Sequence, residues 1–375
     1  MEDEMNIGVI NEGCKIENRA GLTPGSVSYL VEKSHKIYVQ AGAGLKAGYS
    51  NEEYAEQGAD IVFTKEEVFG RSDAVLNICP LNEEECGLVK KDQILIGFHH
   101  LAVSPKEVVV KLLKKNVTIL GYEIFQEKNG VLPFIESLSE IAGQMCLFIS
   151  GQYLQTSQGG RGIVIGGVVS VPPATAVVIG SGVLARSAVK ALLGAGAHTI
   201  ALGRNMENLR NLEEMTSGRL ITLMASKYNL SRISKIADIL IGAVLEPGER
   251  APIYITREMV KSMRKGSLII DLAIDQGGCI ETSRLTSLEH PCFVENGVMH
   301  YCVPNITASV SRTSTKVLSN MVSPFLVEIG EKGIRKALKM NSTLSCGLYA
   351  YKGNIVKKHI AERFDLPHKS LSSSL

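Results

Sequence analysis

Three groups of residues in this chain have the types and spacing that chemistry on a small molecule requires. The first is Gly180-Ser181-Gly182-Val183-Leu184-Ala185, which follows the apolar run at 176–179. In a G-x-G-x-x-A turn the first glycine can take a positive φ, the second lets a pyrophosphate approach the backbone, and the small third residue lets a helix pack close on a strand. A helix beginning near Val183 would aim the unpaired N–H groups of Val183 and Leu184 at phosphates. A glycine-rich turn without a ligand is the other reading of such a string. A strand before it and a second strand at 198–202 favour the dinucleotide site.

The second group is Phe98-His99-His100-Leu101, at the carboxyl end of the apolar run 93–98. A histidine there can give or take a proton near neutral pH, although most histidines are structural or exposed rings and one alone is a weak signal. The third is Asp271-Leu-Ala-Ile-Asp275-Gln-Gly-Gly278. Asp275 can hold an ammonium or carbinolamine, whereas Asp271 suits a cap or an internal pair. An aspartate before two glycines also suits a plain turn. Arg19, in the polar loop 17–24, can clamp a carboxylate in bidentate fashion or stand solvated.

The end of the second strand bears on which dinucleotide is bound. NAD sites usually carry a carboxylate about 20 residues after the motif begins, placed to hold the ribose hydroxyls. This chain reads Gly203-Arg204-Asn205 there. With no anion to repel a 2′-phosphate and an arginine to pair with it, NADP(H) is favoured over NAD(H). Arg204 as a solvated surface charge is the alternative.

The elements that must position these residues follow from periodicity. Before the glycine motif, strands at 5–10, 36–40, 60–63, 74–78, 93–98 and 117–121 alternate with short helical patterns, which implies a mostly parallel sheet covered on both faces. Residues 139–155 suit a long helix joining two halves. After the motif come strands at 220–223, 239–243 and 266–272, with helices at 231–236 and 256–263. The spacing predicts an α/β protein of two Rossmann-like doubly wound domains. A helical tail at 313–339 is expected to pack back on the first.

The 375 residues are enough for two domains with full cores, and 45% hydrophobic with 21% charged residues is ordinary globular composition. A formal net charge of +2, without basic blocks interleaved with aromatics, offers no field for nucleic acid or a membrane surface. The acidic start Met1-Glu-Asp-Glu lacks the features of a signal peptide, and the apolar stretch 162–179 is interrupted by Pro172-Pro173, so the chain is expected in the cytoplasm. Eight cysteines without C-x-x-C spacing point to reduced thiols and no metal site.

Several further strings stand in order along the chain: Arg19-Ala-Gly-Leu-Thr-Pro24, Phe98-His-His-Leu-Ala102, Ser137-Leu-Ser-Glu-Ile-Ala-Gly143, Gln158-Gly-Gly-Arg-Gly162, Ile241-Gly-Ala-Val-Leu-Glu-Pro-Gly248, Ile274-Asp-Gln-Gly-Gly278 and Tyr301-Cys-Val-Pro-Asn-Ile-Thr-Ala-Ser-Val310. Together they resemble the alanine dehydrogenase family, which is related to the soluble part of nicotinamide nucleotide transhydrogenase. The resemblance implies a substrate domain built from both chain ends (1–135 and 310–375), a central NAD(P) domain (136–309), a cleft between them and a homo-oligomer, usually a hexamer. It implies Arg19 on the substrate carboxylate, His100 as general acid/base and Asp275 on the reacting amine or imine. It places Ser139, Leu245 and Asn305 near the cofactor.

Two departures from the family pattern bear on function. Where the family has a Lys-Val-Lys-Glu-Pro-like segment, this chain reads Asn77-Ile-Cys79-Pro-Leu81, so the neutral Cys79 stands in for a substrate-binding lysine. The other is Gly203-Arg204 in place of the ribose-binding aspartate. The expected activity is hydride transfer between NADP(H) and an amino acid, imino acid or related imine, in the reductive direction, on a substrate other than pyruvate. A nucleotide-binding regulatory homologue that has lost catalysis, and a transhydrogenase-like hydride carrier, are the alternatives.

Overall fold

A computed structural model describes residues 4–14, 16–244 and 250–371. They form two compact units, one drawn from the chain up to Ser137 together with the chain from Ala308, the other spanning Leu138–Thr307. In the first unit, β1 (Asn6–Val9), β2 (Lys36–Gln40), β3 (Asp60–Val62), β4 (Ala74–Asn77), β5 (Ile94–Gly97) and β6 (Thr118–Gly121) make a parallel sheet in the order β3-β2-β1-β4-β5-β6. Every residue of β4, β5 and β6 is buried, as expected of strands with both faces covered.

The second unit repeats the plan with β7 (Thr175–Ile179), β8 (His198–Gly203), β9 (Ile221–Met224), β10 (Ile239–Gly242), β11 (Leu268–Asp271), β12 (Cys292–Glu295) and β13 (Val298–Tyr301). Its order is β9-β8-β7-β10-β11-β13-β12, parallel except for the edge strand β12. Side-chain alternation supplies two cores. Ala176, Val178, Ile241 and Ile270 face one side with Cys146, Ala185 and Ala188, and Val177, Ile179, Leu240 and Ile269 face the other with Leu230 and Val260. Both units therefore have the doubly wound strand order whose reversal lies beside the first strand.

Two hairpins escaped the reading of the sequence. The β12–β13 pair closes the second sheet, and β14 (Leu348–Tyr351) with β15 (Asn354–Ile355) runs antiparallel to β6 at the edge of the first. Each strand has four residues or fewer and is stabilised by partners distant in sequence, so no local periodicity announces it. Two helices also differ from expectation. The helix expected at 231–236 is Lys227–Ser234, because the Ser226 side chain accepts from Asn229 N and starts it earlier. The long helix is Pro133–Tyr153, beginning where Phe134 stacks on Tyr122 at 4.4 Å.

The tail forms the helix Ser311–Met340, with Pro324 inside and a break at Gly333 (φ 71°, ψ 147°). It packs on the helix Pro24–Glu32 of the same unit. Ala20 N donates to Thr315 Oγ1 (3.0 Å) and Thr23 N to Ser319 Oγ (2.9 Å), so the tail fixes the loop that carries Arg19. Among the described residues, no helix is long and apolar enough to cross a membrane.

The helix Val183–Gly194 is itself set by a close crossing. A Cβ on Gly143 would lie 2.5 Å from Ser187 Cβ and 2.6 Å from the Leu184 carbonyl oxygen. Gly143→Ala is expected to push the two helices apart and cost about 1–3 kcal/mol, read as a lower midpoint in urea.

Candidate active site

In the first unit, the loops after β1 and β4 leave the sheet side by side at the point where strand order reverses. Ligands of open α/β sheets gather at such a point. Arg19 is held there, only 5% exposed. Its Nε and Nη2 donate to Glu17 Oε1 and Oε2, both at 2.7 Å, a buried bidentate ion pair. Arg19 is thus neither a solvated loop residue nor a free fork. Glu17, which the reading of the sequence passed over, is its positioning partner.

Cys79 lies in the loop after β4. Its Sγ lies 4.0 Å from Glu17 Oε2, and its thiol also meets that of Cys14. Burial, with Glu12 and Glu17 adding to it, pushes the Cys79 thiol far above the usual range, so the group is neutral. Glu12 accepts from Ile78 N and Cys79 N at 2.5 and 3.0 Å. Burial raises its carboxyl to about 7 against the opposing effect of those two bonds, with the Glu17 charge also raising it.

The two histidines differ in kind. His99 is 2% exposed, and burial pushes its imidazole down to about 3. His100 follows β5 in a left-handed conformation (φ 45°, ψ 42°), and its side chain is 51% exposed. Its N–H donates to Glu123 Oε1 at 2.6 Å, its Nδ1 lies 3.9 Å from the same oxygen, and Tyr349 Oη donates to that oxygen at 3.0 Å. Phe98 links the cluster, stacking on the His100 ring (centroids 5.8 Å apart) and lying 5.6 Å from the Arg19 guanidinium carbon. Arg19, Cys79 and His100 therefore stand in one connected group with Glu12, Glu17, Phe98 and Glu123.

In the second unit the glycine turn sits at the corresponding reversal between β7 and β10. Gly180 has φ 130°, and a Cβ there would lie 2.2 Å from the Ala243 carbonyl oxygen. A Cβ on Gly182, the cap of the helix Val183–Gly194, would meet nothing within 4 Å. Ala185 is fully buried beneath. An open backbone before twelve helical residues suits a pyrophosphate at Gly182, Val183 and Leu184. Gly203 lies against this turn, since its Cβ would fall 2.9 Å from Ser181 Oγ. The next residue, Arg204, is exposed with its guanidinium 5.9 Å from the Tyr254 ring centroid, and Asn205 caps the following helix by accepting from Asn208 N.

Asp271 and Asp275 separate cleanly. Asp271 ends β11 fully buried, accepting from the N–H groups of Ala273, Cys279 and Ile280, and burial raises its carboxyl. Gly242 and Gly278 keep room for it, as a Cβ on either would fall 2.9 or 2.8 Å from its oxygens. Asp275 stands exposed on the 3-10 turn Ile274–Gln276. Ser139 is half-buried on the helix Pro133–Tyr153, and Asn305 has a left-handed φ of 50° with its Oδ1 accepting from Thr307 Oγ1. Leu245 lies outside the described residues.

Comparison with known proteins decides the family. The N-terminal and C-terminal domain models of alanine dehydrogenase/PNT match residues 8–142 and 146–358. The chain belongs to the alanine dehydrogenase/PNT family. It is 39% identical to an alanine dehydrogenase of Methanococcus maripaludis over 99% of its length and all of that protein. It is 37% identical to alanine dehydrogenase 2 of Staphylococcus aureus over the same shares. A solved L-alanine dehydrogenase superposes with TM-score 0.92 at 36% identity, covering 96% of this chain and 99% of that one. A transhydrogenase from Sinorhizobium meliloti shares the fold (TM-score 0.79, 20% identity, 94% of this chain and 99% of that one). This member of the family is an alanine dehydrogenase-like oxidoreductase with a Rossmann-type fold, working with a nicotinamide nucleotide.

The buried His99 makes a testable contribution to pH dependence. Its folded pKa lies below the unfolded one, so the stability it contributes is present above its ordinary 6.5 and is lost as pH falls from there toward 3. Urea midpoints measured from pH 7 to pH 4 should fall less steeply for His99→Leu than for the native chain.

Proposed function

We propose that this protein is an NADP(H)-dependent amino acid dehydrogenase working in the reductive direction, a cytoplasmic homo-oligomer whose substrate half is the unit built from both chain ends. The reaction is hydride addition to the carbon of an imino acid or related imine. The nucleotide supplies that hydride when bound, and the protein supplies position and charge. Arg19, oriented by Glu17, receives the substrate carboxylate. His100 gives or takes the proton on the substrate heteroatom, with Glu123 beside its ring to orient it. Asp275 pairs with the amine or imine nitrogen.

The observation that supports NADP(H) is the end of β8. There Arg204 stands exposed beside the glycine turn, Gly203-Arg204 replaces the ribose-binding aspartate, and Asn205 is occupied in capping a helix. An arginine–phosphate pair contributes about 1.5–3 kcal/mol. Arg204→Ala should therefore weaken NADPH binding by roughly 10–100-fold and leave NADH nearly unchanged, read by fluorescence titration. Tighter binding of NADH than NADPH by the native chain would overturn this assignment.

A screen of oxo acids and imines for NADPH oxidation tests the enzyme. Turnover with at least one, reduced 100-fold or more in His100→Ala, is the expected result. Nucleotide binding without turnover of any compound would identify a regulatory homologue instead.

A further inference from the structure

The recess at the carboxyl ends of β1, β4 and β6 is rich in acceptors. Glu12 and Glu17 approach it from the loop after β1, and both bear on the uncharged Cys79 thiol. The cations nearby are engaged. Arg19 is paired with Glu17, Lys65 with Glu85, and Lys46 Nζ donates to the Glu17 carbonyl at 3.1 Å. Arg19, which receives the substrate carboxylate, is already balanced by Glu17, so a substrate bearing only a carboxylate and an oxo group would add net negative charge beside Glu12, which low-dielectric surroundings penalise.

An independent observation points to a ligand there. Tyr122 follows β6 fully buried, close enough to Glu12 to be affected by its charge, and its hydroxyl has no hydrogen-bond partner. The Oδ1 of Asn77, the last residue of β4, is likewise buried without a partner, while the same side chain donates to the Cys79 carbonyl at 2.8 Å. Buried polar atoms are seldom left in this state unless a water or ligand completes them. Two carboxylates, an amide oxygen and a hydroxyl together call for a compact group with several donors. An ammonium has three donors and no acceptor.

We infer that the substrate is an amino acid, or the matching 2-oxo or imino acid, whose side chain carries a second, cationic nitrogen, and that this ammonium sits against Cys79 between Glu12 and Glu17. The inference rests on the dehydrogenase reading above and adds the substrate class to it. Cys79 is then a specificity-determining residue, because a small neutral side chain leaves room for the cation that the substrate brings.

The test compares L-2,4-diaminobutyrate with L-norvaline, which has the same heavy-atom count but a methyl in place of the ammonium, and with L-alanine. Oxidative deamination is followed as NADPH formation, the Cα hydride passing to NADP+ while water replaces the released ammonium. The native chain should prefer diaminobutyrate over norvaline by at least about tenfold in kcat/KM, the scale of a charged hydrogen bond. Cys79→Lys places a protein ammonium in the same recess and should reverse the order, raising alanine above diaminobutyrate. Glu12→Gln should reduce the preference by about tenfold while retaining an acceptor for the backbone N–H groups. Norvaline and alanine turned over as well as diaminobutyrate by the native chain would overturn the inference and leave the dehydrogenase intact. Turnover of none of the three, with NADPH still bound, would overturn the inference, and the dehydrogenase reading with it if the screen of oxo acids and imines also finds no turnover.

Discussion

When neighbouring parallel strands send their connections to opposite faces of a sheet, their carboxyl ends part and neither connection covers the gap. This chain meets that constraint twice, between β1 and β4 and again between β7 and β10. The loop of Arg19, the loop of Cys79 and the glycine turn lie at those two gaps, where backbone N–H groups and loop side chains are free of sheet and helix pairing. At the second gap the glycines leave the backbone bare. At the first, loops bring acids, an arginine and a thiol together.

The first gap depends on how one buried charge is held. A guanidinium removed from water is costly unless an anion and hydrogen bonds accompany it, and removing one partner of such a pair costs about 3–5 kcal/mol. Glu17, two residues before Arg19, meets that need with two parallel bonds, and the tail helix fixes the loop through Thr315 and Ser319. The guanidinium is therefore fixed in place, and Phe98 links its position to that of His100. Orientation secured by side chains that do not themselves react is what a positioned acid or cation requires.

The acids divide by surroundings. Asp271 is surrounded by backbone N–H groups and closes a loop, whereas Asp275, four residues on, faces solvent. His99 and His100 divide the same way. In each pair one member is part of the core and the other reaches solvent, because the chain has left the strand by the second: His100 takes a left-handed conformation, and Asp275 lies on the tight turn after β11.

Much of this was legible in the sequence because it is local. The turn at Gly180–Ala185 carries its own conformation in its glycines, the strands that line the cores read as apolar runs, and Thr23-Pro24 marks a helix start with a cap and a fixed φ. Arg19 was visible as a loop arginine, and His100 and Asp275 as residues of the right type just past strand ends. What their sequence neighbours could not disclose were the partners: Glu12 reaching Cys79, Glu123 reaching His100, Tyr349 reaching Glu123 and Thr315 reaching Ala20. Those pairs are 67, 23, 226 and 295 residues apart, in that order. Residue types alone could name the acids, bases and cations; only the folded chain, by excluding water from some and leaving others open, decided which of them are paired, which are neutral and which can react.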